Sequence, residues 1–461
     1  MIYQSFYVMG ECTVKQEWGI FMNKACSKGN RRLHAISLTR KERFKYRACL
    51  VLLLVLNIGI IGAWFWKKMD ERVPGHIYLF QNQDAQIDFG VPLEGNCKEA
   101  EDVIAITNGK PIQGSRQYFG LDRPVRVRAS ALGSYQAELK LFGIFHYKYI
   151  QFDVIEKAKV MPSGRAVGLY IQSDGIMVLG TSEIQGEDGF SYEPAKDILQ
   201  PGDTIRKVEG TKVGDIDQVV ELLQKKKGNR VMLEIARGGN VIQVKLDKVM
   251  TKEGEYKIGV WLREDTEGIG TLSFVTEKNQ FAALGHGITD IDTGKLVRLS
   301  EGSVYPAKIE DIQKGEAGSP GELIGSVSLG ESNCIGAIKS NTPLGITGEI
   351  TGNGYQYQEG QALPVGLKQE VEEGKAWIMC QIADKVEKYE VEVEEINVNS
   401  KDNKGIVLRV TDKRLLKKSG GIVQGMSGAP ILQNGKVVGA VTHVFVNDPT
   451  GGYGTFMENM L

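Results

Sequence analysis

Residues 425–444 read GMSGAPILQNGKVVGAVTHV and predict a β-hairpin that carries a reactive serine. Asn434-Gly435 separates two apolar runs, and this dipeptide is typical of a two-residue hairpin turn. Ser427 lies between glycines just before the first run, where a strained turn can expose its hydroxyl group. The backbone N–H groups of Gly425 and Ser427 can then converge on one point and form an oxyanion hole. A glycine-rich β-turn without chemistry is the alternative interpretation.

A serine nucleophile requires a general base, and His286 is the strongest candidate. It follows the apolar run FAAL and lies between two glycines, so we expect its ring to be open to a cleft. His443, which follows Ser427 by 16 residues, is the alternative base.

Three aspartates could orient the imidazole of that base. Asp412 ends an apolar run 15 residues before Ser427, while Asp290 and Asp292 lie closer to His286 in the sequence. The local sequence does not decide which of the three aspartates orients the base. A metal cluster of His286, Asp290 and Asp292 would lack a second nitrogen or thiolate ligand, so we expect neither a metal nor a cofactor.

The segment around this candidate site, residues 255–461, predicts a β-barrel domain. It contains many short strand candidates, among them KYEVEVEEINV at 388–398, where apolar and acidic residues alternate. Such a period of two is typical of a strand with one face in water.

Residues 158–250 have a different pattern, with short strands around one helix candidate, IDQVVELLQKKK at 216–227. The preceding LQPGDTIRKVEGTKV and the following strand pair are similar to a PDZ domain, an α+β fold. Gly168, Leu169, Tyr170 and Ile171 lie where such domains carry the loop that binds a peptide carboxylate. The alternative is that Gly168 is a turn glycine within a β-strand. Residues 69–157 predict a small β-rich spacer domain.

The N-terminal part predicts a membrane anchor. Residues 48–66 form a run of 19 residues without a charge, long enough to cross a bilayer. Residues 1–68 carry 12 basic and 3 acidic side chains, whereas the rest carries 44 and 54. The basic segment 1–47 should therefore stay cytoplasmic and the remainder should be exported, while a cleaved signal peptide is the alternative. So acidic an exported part excludes nucleic acid as a partner.

An anchor, a PDZ domain, LGHGITDIDTG and GGIVQGMSGAP in this order resemble the stage IV sporulation protein B (SpoIVB) serine peptidase family of endospore-forming bacteria. The resemblance covers roughly residues 46–461 and is shared in part with trypsin-like two-barrel proteases. It implies that His286 is the base, Asp412 orients it and Ser427 is the nucleophile. Trypsin-like enzymes have an acidic residue before the serine, but this chain has Met426, so an activation salt bridge there is not expected.

The family further implies a signalling endopeptidase in the space between the forespore and mother-cell membranes. Such an enzyme cleaves itself in trans and then a membrane-bound regulatory protein, which leads to activation of a late mother-cell sigma factor. Terminal or strand-like peptides would bind to the PDZ domain. The two alternative functions are a PDZ-bearing quality-control protease of the cell envelope and a non-catalytic membrane PDZ scaffold.

Overall fold

The computed structural model describes residues 40–97, 103–107, 110–111, 117–352 and 362–461, which divide into two compact units at Lys67/Lys68. Helix α1 covers Arg40–Arg72, and its segment Phe44–Arg72 has a mean hydropathy of 2.5 over its most apolar window. This helix is therefore long and apolar enough to cross a membrane, and it contains the predicted span 48–66. The first 39 residues of the predicted basic segment lie outside the described residues.

The predicted spacer domain is a two-sheet β domain. Its strands are β1 (His76–Phe80), β2 (Asp84–Ile87), β3 (Leu93–Cys97), β4 (Val103–Thr107), β5 (Lys110–Pro111), β6 (Gln117–Gly120), β7 (Val125–Ala129), β8 (Gly133–Leu141) and β9 (Phe145–Ile155). In β7, the sequence VRVRA buries its apolar residues and exposes its arginines, which explains why this strand covers a core with one face. One sheet has the strand order β1-β9-β8-β3-β6, and the other has the order β2-β7-β4-β5.

The described residues after Ile155 are mainly β, as the sequence predicts, and they include two α-helices, α2 (Ile216–Lys225) and α3 (Lys413–Ser419). Its longer strands are β10 (Lys159–Thr181), β13 (Thr204–Val208), β15 (Arg230–Arg237), β16 (Asn240–Asp247), β19 (Val260–Thr276), β20 (Gln280–Ala283), β21 (Leu299–Gln313), β22 (Glu322–Val327), β23 (Gly336–Thr342), β24 (Gly345–Ile350), β26 (Gly374–Gln381), β27 (Val386–Ile396), β28 (Ile406–Val410), β29 (Pro430–Gln433), β30 (Lys436–Val444) and β31 (Gly451–Phe456). The two-residue strands are β11 (Ile184–Gln185), β12 (Ser191–Tyr192), β14 (Thr211–Lys212), β17 (Val249–Met250), β18 (Tyr256–Lys257) and β25 (Leu363–Pro364), and short 3-10 helices cover Glu331–Asn333, Lys368–Glu370 and Met457–Asn459.

Two six-stranded barrels follow from the strand pairing. The first is a ring of β10, β19, β20, β24, β23 and β21, which closes because β10 pairs with both β19 and β21. The second is the closed barrel β26-β27-β28-β31-β30-β29. Its hairpin β29–β30 turns at Asn434-Gly435, as expected, since Asn434 adopts a positive φ of 50° there. The predicted β-barrel architecture is confirmed.

Helix α2 packs on β13, β15 and the second half of β10, which together form the PDZ part of the fold. Asp215 caps the helix, because its carboxylate accepts a hydrogen bond from the Gln218 amide at 2.7 Å. Val219 and Leu223 are buried in one core cluster with residues of these strands. The helix ends two residues before the expected Lys227, ahead of Gly228.

The PDZ part and the first barrel share two long strands. Residues 160–172 of β10 pair with residues 265–276 of β19 inside the barrel, and residues 177–181 pair with residues 260–263 in the PDZ part. The predicted segments 158–250 and 255–461 therefore do not separate at those residues. The PDZ part is instead inserted into one hairpin of the barrel, beyond the pair Gln172–Asp265.

Candidate active site

Ser427 lies in the turn that leads into β29. Gly425 and Gly428 on either side adopt φ values of 93° and 96°, which side chains with a Cβ rarely tolerate. The hydroxyl of Ser427 donates a hydrogen bond to the carbonyl oxygen of Thr442 at 2.7 Å. Within the described residues, the amides of Gly425 and Ser427 donate to no protein acceptor, so both remain candidate oxyanion donors.

His286 follows β20 and lines the same cavity of about 430 Å³ as Ser427 and Gly425. Its Nδ1 lies 3.0 Å from the carbonyl oxygen of Gly287. A carbonyl can only accept a hydrogen bond, so Nδ1 carries the proton and Nε2 is free to accept one. Burial lowers the pKa of His286 and the Gly287 carbonyl opposes this in part, so the net shift is downward.

The alternative base, His443, lies in the same cavity. The centroids of the His286 and His443 rings are 5.1 Å apart, and the rings are tilted by 36°. The pKa of His443 is lowered to about 4, first because surrounding atoms exclude water from its ring and second because His286 lies nearby. Both histidines are therefore neutral at pH 7. Both rings also line the cavity, so position in the cavity does not distinguish between them as the base.

The structure does not bring Asp412 to His286, which corrects the predicted triad. The Asp412 carboxylate caps helix α3 by accepting a hydrogen bond from the Arg414 amide at 2.8 Å, and it forms an ion pair with the Arg414 guanidinium. These contacts lower the pKa of Asp412 to about 2. Asp412 lines a different cavity, of about 470 Å³, together with Trp377 and Gln433.

Asp290 and Asp292 are not hydrogen-bonded to His286 either. Asp290 is buried and forms an ion pair with Arg263 at 2.6 Å, while Asp292 pairs with the same guanidinium at 2.8 Å. Burial alone would raise the pKa of Asp290, but hydrogen bonds from Thr293 and Arg263 outweigh it, so the pKa is lowered. Among the described residues, the backbone carbonyl of Gly287 is thus the group that orients His286.

Comparison with known proteins identifies the class of the domain that contains this candidate site. Residues 254–461 match the family model described as SpoIVB peptidase S55, and residues 194–237 match a PDZ domain model. Residues 254–461 are a SpoIVB peptidase domain. The protein is therefore a serine peptidase with a PDZ domain, whose matched residues 194–237 precede the matched peptidase residues 254–461. The SpoIVB domain model starts at residue 254, although the first barrel also requires β10.

No curated protein matches the chain. One solved structure with similarity is the PDZ domain of the SdrC-like protein from Listeria monocytogenes, at 25% sequence identity and a TM-score of 0.16. The match covers 19% of this chain and 87% of that chain.

The predicted peptide-binding loop of the PDZ domain, Gly168, Leu169, Tyr170 and Ile171, is wrong. These four residues lie in the middle of β10 within the first barrel, paired with β19 on one edge and with β21 on the other. A strand with both edges paired cannot accept a further peptide strand. The alternative interpretation, a glycine within a strand, agrees with the structure.

The open groove of the PDZ domain lies between α2 and the segment 256–262, which the sequence alone placed in the peptidase domain and not in a peptide-binding site. It is a cavity of about 590 Å³ lined by apolar residues such as Val220, Leu223 and Trp261. Residues 260–263 pair with β10 on one edge, and no described strand pairs with the other edge. Gln224 ties this segment to α2, since its side chain exchanges hydrogen bonds with the Tyr256 backbone at 2.8 and 2.9 Å.

Proposed function

We propose that the protein is a membrane-tethered serine endopeptidase in which Ser427 is the nucleophile and His286 is the general base. The observation that carries this proposal is the cavity shared by His286, Ser427 and Gly425 in a SpoIVB peptidase domain. The neutral Nε2 of His286 is the acceptor that the serine proton requires.

The reaction begins when the Ser427 hydroxyl turns away from the Thr442 carbonyl towards His286. The hydroxyl proton passes to His286 Nε2, a bond forms between Oγ and the substrate carbonyl carbon, and the carbonyl π electrons move to its oxygen. The amides of Gly425 and Ser427 donate to that oxyanion. His286 then protonates the leaving amine, and water releases the acyl group by the same route. The Gly287 carbonyl holds Nδ1–H throughout.

The groove of the PDZ domain and the resemblance to the family support one class of substrate. An extended peptide adds a strand to the open edge of residues 260–263, with its apolar side chains in the groove beside Trp261. The peptide belongs to a second copy of this chain or to a membrane-bound regulatory protein, whose cleavage leads to activation of a late mother-cell sigma factor.

Self-cleavage provides the test. Wild type and Ser427→Ala are expressed with a signal-competent N-terminus and a C-terminal tag, each alone and together. We expect the wild type to yield a shorter tagged product, Ser427→Ala to stay intact alone, and Ser427→Ala to be cut when wild type is present. Labelling by a fluorophosphonate reports on the nucleophile independently of any substrate. Labelling of Ser427→Ala at the wild-type rate would refute the mechanism.

We propose an exported location for residues 69–461, in the space between the forespore and mother-cell membranes. The basic residues before the apolar part of α1 support this orientation. A C-terminal reporter that is active only outside the cytoplasm should be active, and the matched reporter that works only inside should be silent. The reverse pattern would contradict the orientation.

A further inference from the structure

The turn that carries Ser427 is held from the neighbouring barrel by one residue of β19. The Thr271 hydroxyl donates to the carbonyl of Gly425 at 2.8 Å, and the Thr271 amide donates to the carbonyl of Ser427 at 2.9 Å. Thr271 is buried, and a Cβ on Gly428 would overlap its carbonyl oxygen. The backbone of β19 therefore lies directly against the turn.

The same residue also contacts the segment that leads to His286. The carbonyl of Thr271 accepts a hydrogen bond from the amide of Leu284 at 3.3 Å. Leu284 is two residues before His286 and adopts a φ of 68°. A non-glycine residue at this φ costs energy and persists only where neighbouring structure fixes it.

Arg263, earlier on the same strand, holds the other side of the His286 segment. Its guanidinium binds Asp290 and Asp292, and Asp290 in turn accepts the amides of Asp292 and Thr293 at 3.1 and 2.8 Å. The buried Asp290 carboxylate has Arg263 as its ion-pair partner. Loss of that partner would leave a buried charge uncompensated.

We propose that Thr271 and Arg263 are positioning residues: Thr271 aligns the oxyanion turn with His286, and Arg263 fixes the segment after His286. The need for them follows from Met426, which is apolar and fully buried where an acidic residue could pin the turn. Gly425 and Gly428 have no side chains to hold them, so contacts from outside add to the hydrogen bond, Ala429 N–H to the Met426 carbonyl at 2.9 Å, that closes the turn from within. This inference rests on the proposed roles of Ser427 and His286.

Fluorophosphonate inactivation of the full-length protein in detergent tests the inference without knowledge of a peptide substrate. Thr271→Val keeps the shape of the side chain and removes its hydroxyl. Since one hydrogen bond contributes about 1–1.5 kcal/mol, the maximal inactivation rate should fall roughly tenfold. The concentration for half-maximal inactivation should not change. Thr271→Ser, which restores the hydroxyl, should recover most of the rate.

Ser273→Ala is the matched control, because Ser273 is buried on the same strand and its hydroxyl has no partner among the described residues. It should inactivate at the wild-type rate. A wild-type rate in Thr271→Val, an equal loss in Ser273→Ala, or no recovery in Thr271→Ser would overturn the role of Thr271. If Thr271→Val does not fold, as judged by thermal unfolding, Thr271→Cys is compared with Thr271→Ser in the same way.

Arg263→Gln and Arg263→Lys test the second residue. Arg263→Gln removes the charge that faces Asp290 and should slow inactivation, whereas Arg263→Lys keeps the charge and should recover part of the rate. Equal rates in both variants and the wild type would overturn the role of Arg263. If Ser427→Ala loses labelling while the Thr271 and Arg263 variants are labelled at the wild-type rate, Ser427 is upheld as the nucleophile and both positioning roles are overturned.

Discussion

His286 is oriented by the backbone of its own neighbour, and its lowered pKa gives a prediction on pH. A general base must be neutral to accept a proton, so a pKa below the usual 6.5 moves the acid limb of the rate to lower pH. The rate of fluorophosphonate labelling should therefore fall to half at a pH below 6.5. A midpoint near 4 that disappears in His443→Gln would instead identify His443 as the base.

Ser427 and His286 should behave as one catalytic unit. Ser427→Ala and His286→Ala should each reduce peptide hydrolysis by a factor on the order of 10⁶, and the double variant should be no worse than either. The rate at which the self-cleavage product accumulates in each variant measures these losses. Additive losses would show that the two residues do not act in the same step.

Asp412 should matter for stability through its cap on α3. Asp412→Ala should lower the free energy of unfolding by about 1 kcal/mol, while Asp412→Asn, an equally good cap, should lower it less. The low pKa of Asp412 means that its stabilisation is complete above about pH 4 and is lost as pH falls towards 2. Urea unfolding at several pH values gives these differences. Unchanged stability with a roughly 10⁴-fold loss of activity in Asp412→Asn would return Asp412 to the triad.

The difference between Ser427 and Asp412 shows how far single residues could be predicted. The glycines beside Ser427 encode its turn locally, so this turn could be predicted from the sequence. The partner of a carboxylate depends on tertiary contacts, and the local sequence around Asp412 and Asp290 contains none of them. Thr271 and Arg263 were missed for the same reason, since an isolated Thr or Arg in a strand has no local signature.

At the scale of elements, helix α2 and the β29–β30 hairpin could be predicted from local sequence. In the helix, the spacing of the apolar residues and the glycine after the last turn indicated the same element, and in the hairpin, Asn434-Gly435 lay between two apolar runs. Gly168 was misassigned because a short apolar run around a glycine is typical of both a carboxylate loop and a buried strand. Pairing on both edges of β10 is a long-range property that the run itself does not encode. The segment Tyr256–Val260 has the pattern that could have located the groove. It places a glycine between apolar residues immediately before a strand with one open edge.

Two variants separate the rejected site from the observed groove. Gly168→Val should destabilise the protein and lower the Tm, because a Cβ at Gly168 overlaps with the Val327 side chain. Val220→Asp places a charge in the groove at a residue that is 45% exposed, so it should leave the Tm unchanged and weaken peptide binding at least tenfold. Thermal unfolding measures the Tm of each variant, and fluorescence anisotropy with a labelled apolar peptide that has a free C-terminal carboxylate measures binding. Loss of binding in a fully stable Gly168→Val would contradict the groove.

At the scale of the whole molecule, the shared strands predict how the PDZ part can be removed. Deletion of residues 158–250 takes β10 out of the first barrel and should abolish fluorophosphonate labelling. Replacement of residues 173–264 by Asn-Gly closes β10 and β19 as a two-residue hairpin at the pair Gln172–Asp265. This shorter protein should be labelled at a reduced rate similar to that of Arg263→Gln. Labelling of the 158–250 deletion would contradict the shared barrel.

The shared hairpin also affects the order in which the chain folds. The two barrel strands are separated by about 90 residues, and closing a flexible loop of that length costs roughly 4 kcal/mol of chain entropy. A PDZ part that folds first brings the ends of both strands together and removes most of that cost before the barrel forms. Destabilising substitutions in the core of the PDZ part should therefore slow refolding of the peptidase, while unfolding of the barrel keeps its rate.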